Sequence, residues 1–242
     1  VMMITRQGYT KRVNLKEFDS VRPSGLIAIR LSEGDELGWV RLTQGTDELI
    51  LVTEQGKGIR FLETDVRAMG RTARGVIGMR LDAEDRIAVA EVIEPAGKLF
   101  LSSSKGYGRC TLLGDFRAQS RGGKGVRAYK VTAKTGTISD GRVVQDEDEL
   151  TLMSENGIIL RTKVGRIPVM GRYSQGVQMM DLKEGDRVAS VARLFNDQDE
   201  DVEADDETQA TSADADDETS KAAQAQVETP PADEADTDED DA

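Results

Sequence analysis

The chain has 242 residues, a formal charge of −13, no histidine and a single cysteine, Cys110. Those numbers exclude an intrachain disulfide and every histidine-based general base or metal ligand, and no apolar run approaches the roughly 18 residues a membrane span needs. The average charge hides two opposite pieces: residues 1–196 carry 31 bases and 25 acids, net +6, whereas 197–242 carry 20 acids and one base, net −19. A basic body with an acidic tail has different partners from a uniformly acidic protein. The lone cysteine fits a cytoplasmic setting.

The chain opens directly in strand-like text, VMMIT, with Val1 in the first position, and this beginning reads as a cut within a longer polypeptide. Gly8 then stands in ITRQGYTKR and Gly25 in VRPSGLIAI. The same pair of landmarks returns as Gly56 and Gly75, as Gly106 and Gly125, and as Gly157 and Gly176, with a period of 48 to 51 residues. A third landmark follows nine residues after the second glycine in three copies, as Gly34-Asp35, Glu84-Asp85 and Gly185-Asp186. Repeats of this length built from short strands form blades around an axis or a stacked array.

Each copy predicts strand, tight turn, strand, loop, strand, turn, strand. In the second, Glu48–Thr53 is rich in branched residues, 54–57 is a hairpin turn with Gly56 suited to positive φ, and 58–62 returns as the partner strand. Residues 63–74 form a polar loop, 76–81 a third strand, 82–85 a turn and 86–93 a fourth strand. The remaining copies place strands at 26–31 and 37–42, at 126–131 and 137–144, and at 177–182 and 187–195; the third has a longer connection at 132–136. The predicted fold class is all-β, a β-propeller-like body of four-stranded blades, with repeats at about 1–47, 48–97, 98–148 and 149–196. Residues 197–242 hold too little apolar surface to offset their ordering entropy and are predicted to be a disordered acidic tail. A functional tail and a solubilising one look alike at this level.

No catalytic constellation is found. Cys110 lies in strand-like text and reads as a small core residue. No GxxxxGK[ST] loop occurs, and the basic, glycine-rich 119–125 opens no helix. No metal-ligating set is expected either. The cations, by contrast, recur between the hairpin and the second glycine of every copy. They are Lys11, Arg12, Lys16 and Arg22; Lys57, Arg60, Arg67, Arg71 and Arg74; Lys105, Arg109, Arg117, Arg121 and Lys124; and Arg161, Lys163, Arg166 and Arg172. Repeated modules present equivalent positions along one surface, so these residues (Lys16 aside) are the candidate DNA-binding set. Duplex DNA carries one charge per about 1.7 Å and suits such a belt. Aromatic residues are too scarce for stacking on single-stranded bases, and phosphate contact without base readout is expected.

The strings 54–61 (EQGKGIRF), 66–71 (VRAMGR), 74–81 (RGVIGMRL) and 167–178 (IPVMGRYSQGVQ) resemble the C-terminal domain of the DNA gyrase A subunit over residues 1–196. That resemblance implies a six-bladed β-pinwheel whose blades exchange strands, with these repeats as its last four. It further implies duplex DNA wrapped around a basic perimeter. The partners it implies are the remainder of the A subunit, together with the gyrase B subunit, in an A2B2 assembly with a bacterial, nucleoid-associated location. ATP and Mg2+ would act on other parts of that assembly, with no cofactor in this segment. The catalytic tyrosine would lie upstream, so none of Tyr9, Tyr107, Tyr129 or Tyr173 inherits its role. Residues 119–125 read QSRGGKG, close to the family's QRRGGKG box but with Ser120 in place of an arginine, and in a later repeat than the box occupies. Arg121 and Lys124 are expected there as a secondary DNA contact. Two rivals stay open: the corresponding domain of topoisomerase IV, and a protein-binding propeller for which the belt is incidental.

Overall fold

A strand buried on both faces needs apolar side chains at successive positions, because neighbours on a strand point to opposite sides. Glu48–Thr53 meets that need. Leu49 and Leu51 pack with Met2, Ile4 and Trp39 of the first repeat, whereas Ile50 and Val52 pack with Leu99 and Leu101 of the third. Phe100, between those leucines, turns the other way onto Leu150 and Leu152 of the fourth. The hydrophobic core therefore lies between blades, in three layers. The computed structural model describes residues 1–21 and 23–194, so the acidic tail and Arg22 lie outside the described residues.

The first sheet contains β1 (Met2–Thr5), β2 (Tyr9–Arg12) and β3 (Leu37–Arg41). The second repeat supplies β4 (Glu48–Thr53), β5 (Lys57–Leu62), β6 (Val76–Ile77) and β7 (Ile87–Val92). The third supplies β8 (Lys98–Ser103), β9 (Tyr107–Leu112), β10 (Val126–Arg127) and β11 (Ile138–Val144). The fourth supplies β12 (Glu149–Ser154), β13 (Ile159–Lys163), β14 (Val177–Gln178) and β15 (Val188–Leu194). The sheets run β3-β1-β2-β6, β7-β4-β5-β10, β11-β8-β9-β14 and β15-β12-β13. Strands β3, β7, β11 and β15 lie against one another from blade to blade and face the axis; the opposite end of each sheet is the rim. Among the described residues the helical elements are short 3-10 turns, such as Glu63–Asp65, Leu113–Asp115 and Val164–Arg166, in text the sequence reads as loop.

Each rim strand comes from the following repeat: β6 pairs with β2, β10 with β5 and β14 with β9. This corrects the expectation of six-residue third strands at 76–81, 126–131 and 177–182. Only two residues of each pair, and 26–31 forms no strand. The pairing stops because the chain turns toward a single carbonyl. Gly78 and Met79 N–H both donate to Gly8 O, at 2.8 and 3.2 Å; Ala128 and Tyr129 donate to Gly56 O; Met179 and Met180 donate to Gly106 O. The hairpin glycine that offers this carbonyl has φ of +82°, +76° and +79° in the three copies, and a Cβ on it would stand 2.5 to 2.7 Å from a backbone oxygen of the next repeat. Only glycine fits there.

Two contacts fix each hairpin. A hydroxyl three residues before the glycine accepts the N–H that follows the turn: Tyr9 N–H donates to Thr5, Lys57 to Thr53, Tyr107 to Ser103 and Ile158 to Ser154. The recurring aspartates do the rest. One oxygen of Asp35 accepts from Gln7 and Glu36 N–H, one of Asp85 from Gln55 and Arg86, and one of Asp186 from Asn156 and Arg187. In the third repeat the longer 132–136 connection brings the Thr135 carbonyl to Lys105 N–H instead. The landmark Asp is thus a clamp between two turns.

Burial alone would raise the Asp186 carboxyl, but hydrogen bonding from Ser154, Asn156, Arg187 and Glu155 outweighs it and holds the group below its ordinary value. A depressed folded value contributes stability above the unfolded pKa of about 3.9, which is lost as pH falls through the folded value. Asp186→Ala is expected to destabilise the body at pH 7, and its difference from the parent to shrink in denaturation curves taken below about pH 4. Leu51→Ala removes an inter-blade contact and should cost about 2–5 kcal/mol in urea unfolding, whereas Met153→Ala, 39% exposed, should cost less than about 1 kcal/mol.

Candidate nucleic-acid interface

After the 3-10 turns of the second, third and fourth repeats the chain crosses the rim side of the preceding sheet. Met69 N–H donates to Arg12 O, Gln119 to Arg60 O and Met170 to Cys110 O, at 2.8 to 2.9 Å. Further along, Arg30 N–H donates to Ala73 O, Arg80 to Gly123 O and Lys130 to Ser174 O. These paired anchors hold 66–75, 116–125 and 167–176 in the same pose at three successive junctions. The loops carry Arg67, Arg71 and Arg74; Arg117, Arg121 and Lys124; and Arg172.

Arg67, Arg117, Lys163 and Arg166 are exposed and have no partner among the described residues. Arg71 is half-buried, with its guanidinium also unpartnered among them. Arg121 Nε and NH1 donate to the Asp65 and Ile77 carbonyls at 2.8 and 3.1 Å. Arg172, its equivalent, donates to the Arg127 carbonyl at 3.2 Å. Arg74 stacks on the Tyr9 ring with its carbon 4.1 Å from the centroid and donates to the Tyr9 hydroxyl. Lys105 donates to Ala133 O.

Other members of the expected set are neutralised in place. Arg12 is 3.9 Å from Glu63, Arg60 pairs with Glu48, and Arg161 pairs with Glu149. These three arginines stand four residues after the hairpin glycine. In the third repeat that position is Cys110, whose thiol burial pushes up to about 12, so it is inert at neutral pH. Lys57 and Lys124 share Asp82, the second at 3.1 Å. That carboxyl is held below its ordinary range by hydrogen bonds from the two ammoniums.

Lys11 and Arg109 are corrections. Both are fully buried and cannot meet a polyanion. They stand three residues after the hairpin glycine, on the strand face covered by the next repeat's loop. Lys11 Nζ donates to Ala28 O at 2.7 Å and to Arg71 O. Arg109 NH2 makes the equivalent bonds to Ala128 O and Arg172 O, both at 2.6 Å, beside the Tyr129 ring. Burial lowers both groups, and Arg109 falls to about 10. The sequence carried the signal: the same position holds Ile59 and Leu160 in the other copies, so it points inward.

The box-like 119–125 is tied down as well. Besides the Arg121 bonds, Gly122 N–H donates to Gly78 O at 2.6 Å, and the Gly123 carbonyl accepts from Arg80. Arg121 and Lys124 thus also act as a latch between the second and third repeats. Three exposed cations outside the expected set, Arg30, Arg80 and Lys130, each lie five residues after the second glycine, beside the anchored loops. Their recurrence was readable in the sequence, but they fall just past the window between the glycines.

The family model "DNA gyrase C-terminal domain, beta-propeller" matches residues 1–43, 47–94, 97–145 and 148–194. The chain is 57% identical over 200 residues to the DNA gyrase A subunit of Halalkalibacterium halodurans, covering 83% of this chain and 24% of that protein. It is 44% identical to the one from Clostridium acetobutylicum, covering 86% and 25%. It thus spans about a quarter of the length of these curated relatives. Among solved structures, the C-terminal domain of a DNA topoisomerase IV superposes with a TM-score of 0.76 at 33% identity, over 80% of this chain and 61% of that one. A DNA gyrase A C-terminal domain superposes with 0.74 at 26%, over 80% and 65%. The strand-exchanged blades, the hairpin glycines and these matches agree: the chain belongs to the DNA gyrase C-terminal domain, beta-propeller family.

Proposed function

We propose that the rim binds duplex DNA and wraps it, as the C-terminal part of the gyrase A polypeptide in an ATP-dependent type II topoisomerase that introduces negative supercoils. The observation that carries this reading is the repetition of Arg71, Arg121 and Arg172 and of Arg30, Arg80 and Lys130 at matching places on three consecutive junctions, and of Arg67 and Arg117 on two of them. Phosphates meeting such a series release counterions at each blade. The contacts follow a curved edge, and their sum can offset the roughly 1–6 kcal/mol needed to bend a 20–30 base-pair site. A wrap of fixed hand would present the neighbouring DNA to a strand-passage gate in one sense only.

In this reading the segment is non-catalytic. Cleavage and ATP hydrolysis, with its Mg2+, belong to the rest of the gyrase A polypeptide and to the gyrase B polypeptide of an A2B2 enzyme, in the bacterial cytoplasm at the nucleoid. The gyrase identity of the curated relatives favours supercoiling over the decatenating role of topoisomerase IV, whose C-terminal domain has the same fold.

Replacing Arg67, Arg117 and Arg166 together by alanine should weaken binding to a 40-base-pair duplex in fluorescence anisotropy. It should also flatten the plot of log affinity against log salt by about 0.9 per lost contact. Arg109→Met should leave that slope unchanged, since Arg109 is buried. A protein-binding scaffold would show no salt-dependent DNA affinity to lose. Wrapping itself is tested by ligating nicked circles with the protein bound: a shift in the topoisomer distribution is expected. Carried on the same chain, the acidic 197–242 is proposed to compete with DNA at an effective concentration of about millimolar. Ending the chain at residue 196 should then raise affinity at low salt, and equal affinities with equal slopes would dispose of the competition.

A further inference from the structure

Asp82 is the one carboxylate that holds two members of the rim series among the described residues. It accepts from Lys57, on β5, and from Lys124, in the anchored loop of the next repeat. Its side chain is 46% exposed and those of the lysines 35% and 69%. Water and salt screen such pairs, so they contribute little to folding. The corresponding positions, seven residues after the second glycine, hold Ser32, Thr132 and Lys183 in the other repeats; only the second repeat places an acid there. Lys57 is also the register partner of Arg127 on β10. The junction of the second and third repeats thus concentrates three cations and then fixes a carboxylate among them.

Resting on the DNA-binding role proposed above, we infer that Asp82 is a built-in attenuator of the rim. It occupies Lys57 and Lys124 as an internal substitute for phosphate, so this junction grips DNA less than its charge count implies. A phosphate arriving there must displace a tethered competitor, and cations that are already neutralised have fewer condensed counterions to release from the duplex. The effect is local to the junction that carries the box-like 119–125. It sets how strongly the path of the DNA is held midway along the described rim, independently of the acidic tail.

The test uses the whole 242-residue chain with Asp82→Ser, the residue type of the first repeat, and with Asp82→Asn, which keeps the shape and removes the charge. Affinity for a 40-base-pair duplex is measured from 50 to 300 mM salt, alongside the Tm of each protein. Both variants are expected to bind about tenfold tighter near 0.1 M salt, with a slope steeper by about 0.9 to 1.8, and to shift Tm by less than about 4 °C. Adding Lys57→Ser and Lys124→Ser to the Asp82→Ser protein should erase the gain. If the parent binds DNA in a salt-dependent way but both variants keep its affinity and slope, or bind more weakly with a lowered Tm, Asp82 is a structural partner and the inference falls while the DNA-binding role stands. If the parent shows no salt-dependent binding, both fall together.

Discussion

The carbonyl of the hairpin glycine is the point on which the architecture turns. In three repeats it leaves its own hairpin and receives two N–H groups from the repeat that follows. A buried backbone acceptor must find donors, and here the donors arrive from about 70 residues away. The geometry demands positive φ and leaves no room for a side chain, so one glycine per repeat joins local turn chemistry to long-range assembly. Once the carbonyl is satisfied in this way, the next two-residue strand must lie on the rim of the preceding sheet, and the loop before it must cross that rim.

This exchange determines where cations can act. Residues three and four after the glycine alternate across the strand. The inner member is roofed by the arriving loop and, when cationic, spends its donors on one carbonyl of that loop and one of its own repeat: Lys11 on Arg71 and Ala28, Arg109 on Arg172 and Ala128. The outer member meets a carboxylate and stays half-open, as Arg12 and Arg60 do, or exposed, as Arg161 is. Cations carried by the arriving loop, such as Arg67 and Arg117, or placed just after the exchanged strand, such as Arg30 and Arg80, are held at the surface without meeting a carboxylate. Interlocking the blades and exposing charge are two results of one crossing.

The period of about 50 residues and the glycines made the fold class legible, because both survive as text. The Asp landmark was visible but mute: that Asp186 reaches Asn156 N–H is a contact across 30 residues, and nothing local announces it. Strand exchange is of the same kind. Val76 and Ile77 look like the start of a longer strand, and only the position of Gly8 O shows why pairing ends at Ile77. The cationic series was read correctly as recurrent but too generously as exposed. Ile59 and Leu160, the counterparts of Lys11, mark its position as inward, whereas the bonds of Arg121 to the Asp65 and Ile77 carbonyls span 56 and 44 residues and leave no trace in the text.

The acids are placed with equal consequence. On the axis side, Arg41 of β3 bonds Glu91 of β7 at 2.9 Å, Arg142 of β11 lies 3.5 Å from Glu91 and 2.6 Å from Asp140, and Asp140 accepts from Val191 N–H of β15 at 2.8 Å. One chain of ion pairs, completed by a backbone hydrogen bond, therefore links the inner strands of all four blades. These groups are half-buried, and partly buried pairs are screened far less by salt than exposed ones. Rim cations that lack carboxylates, such as Arg67 and Arg117, sit in open solvent, where screening is fullest. Ionic strength that loosens a polyanion from the rim should thus leave the blades in register. The two ends of each sheet respond differently to the same ions because one end spends its charges on neighbouring blades and the other holds them outward.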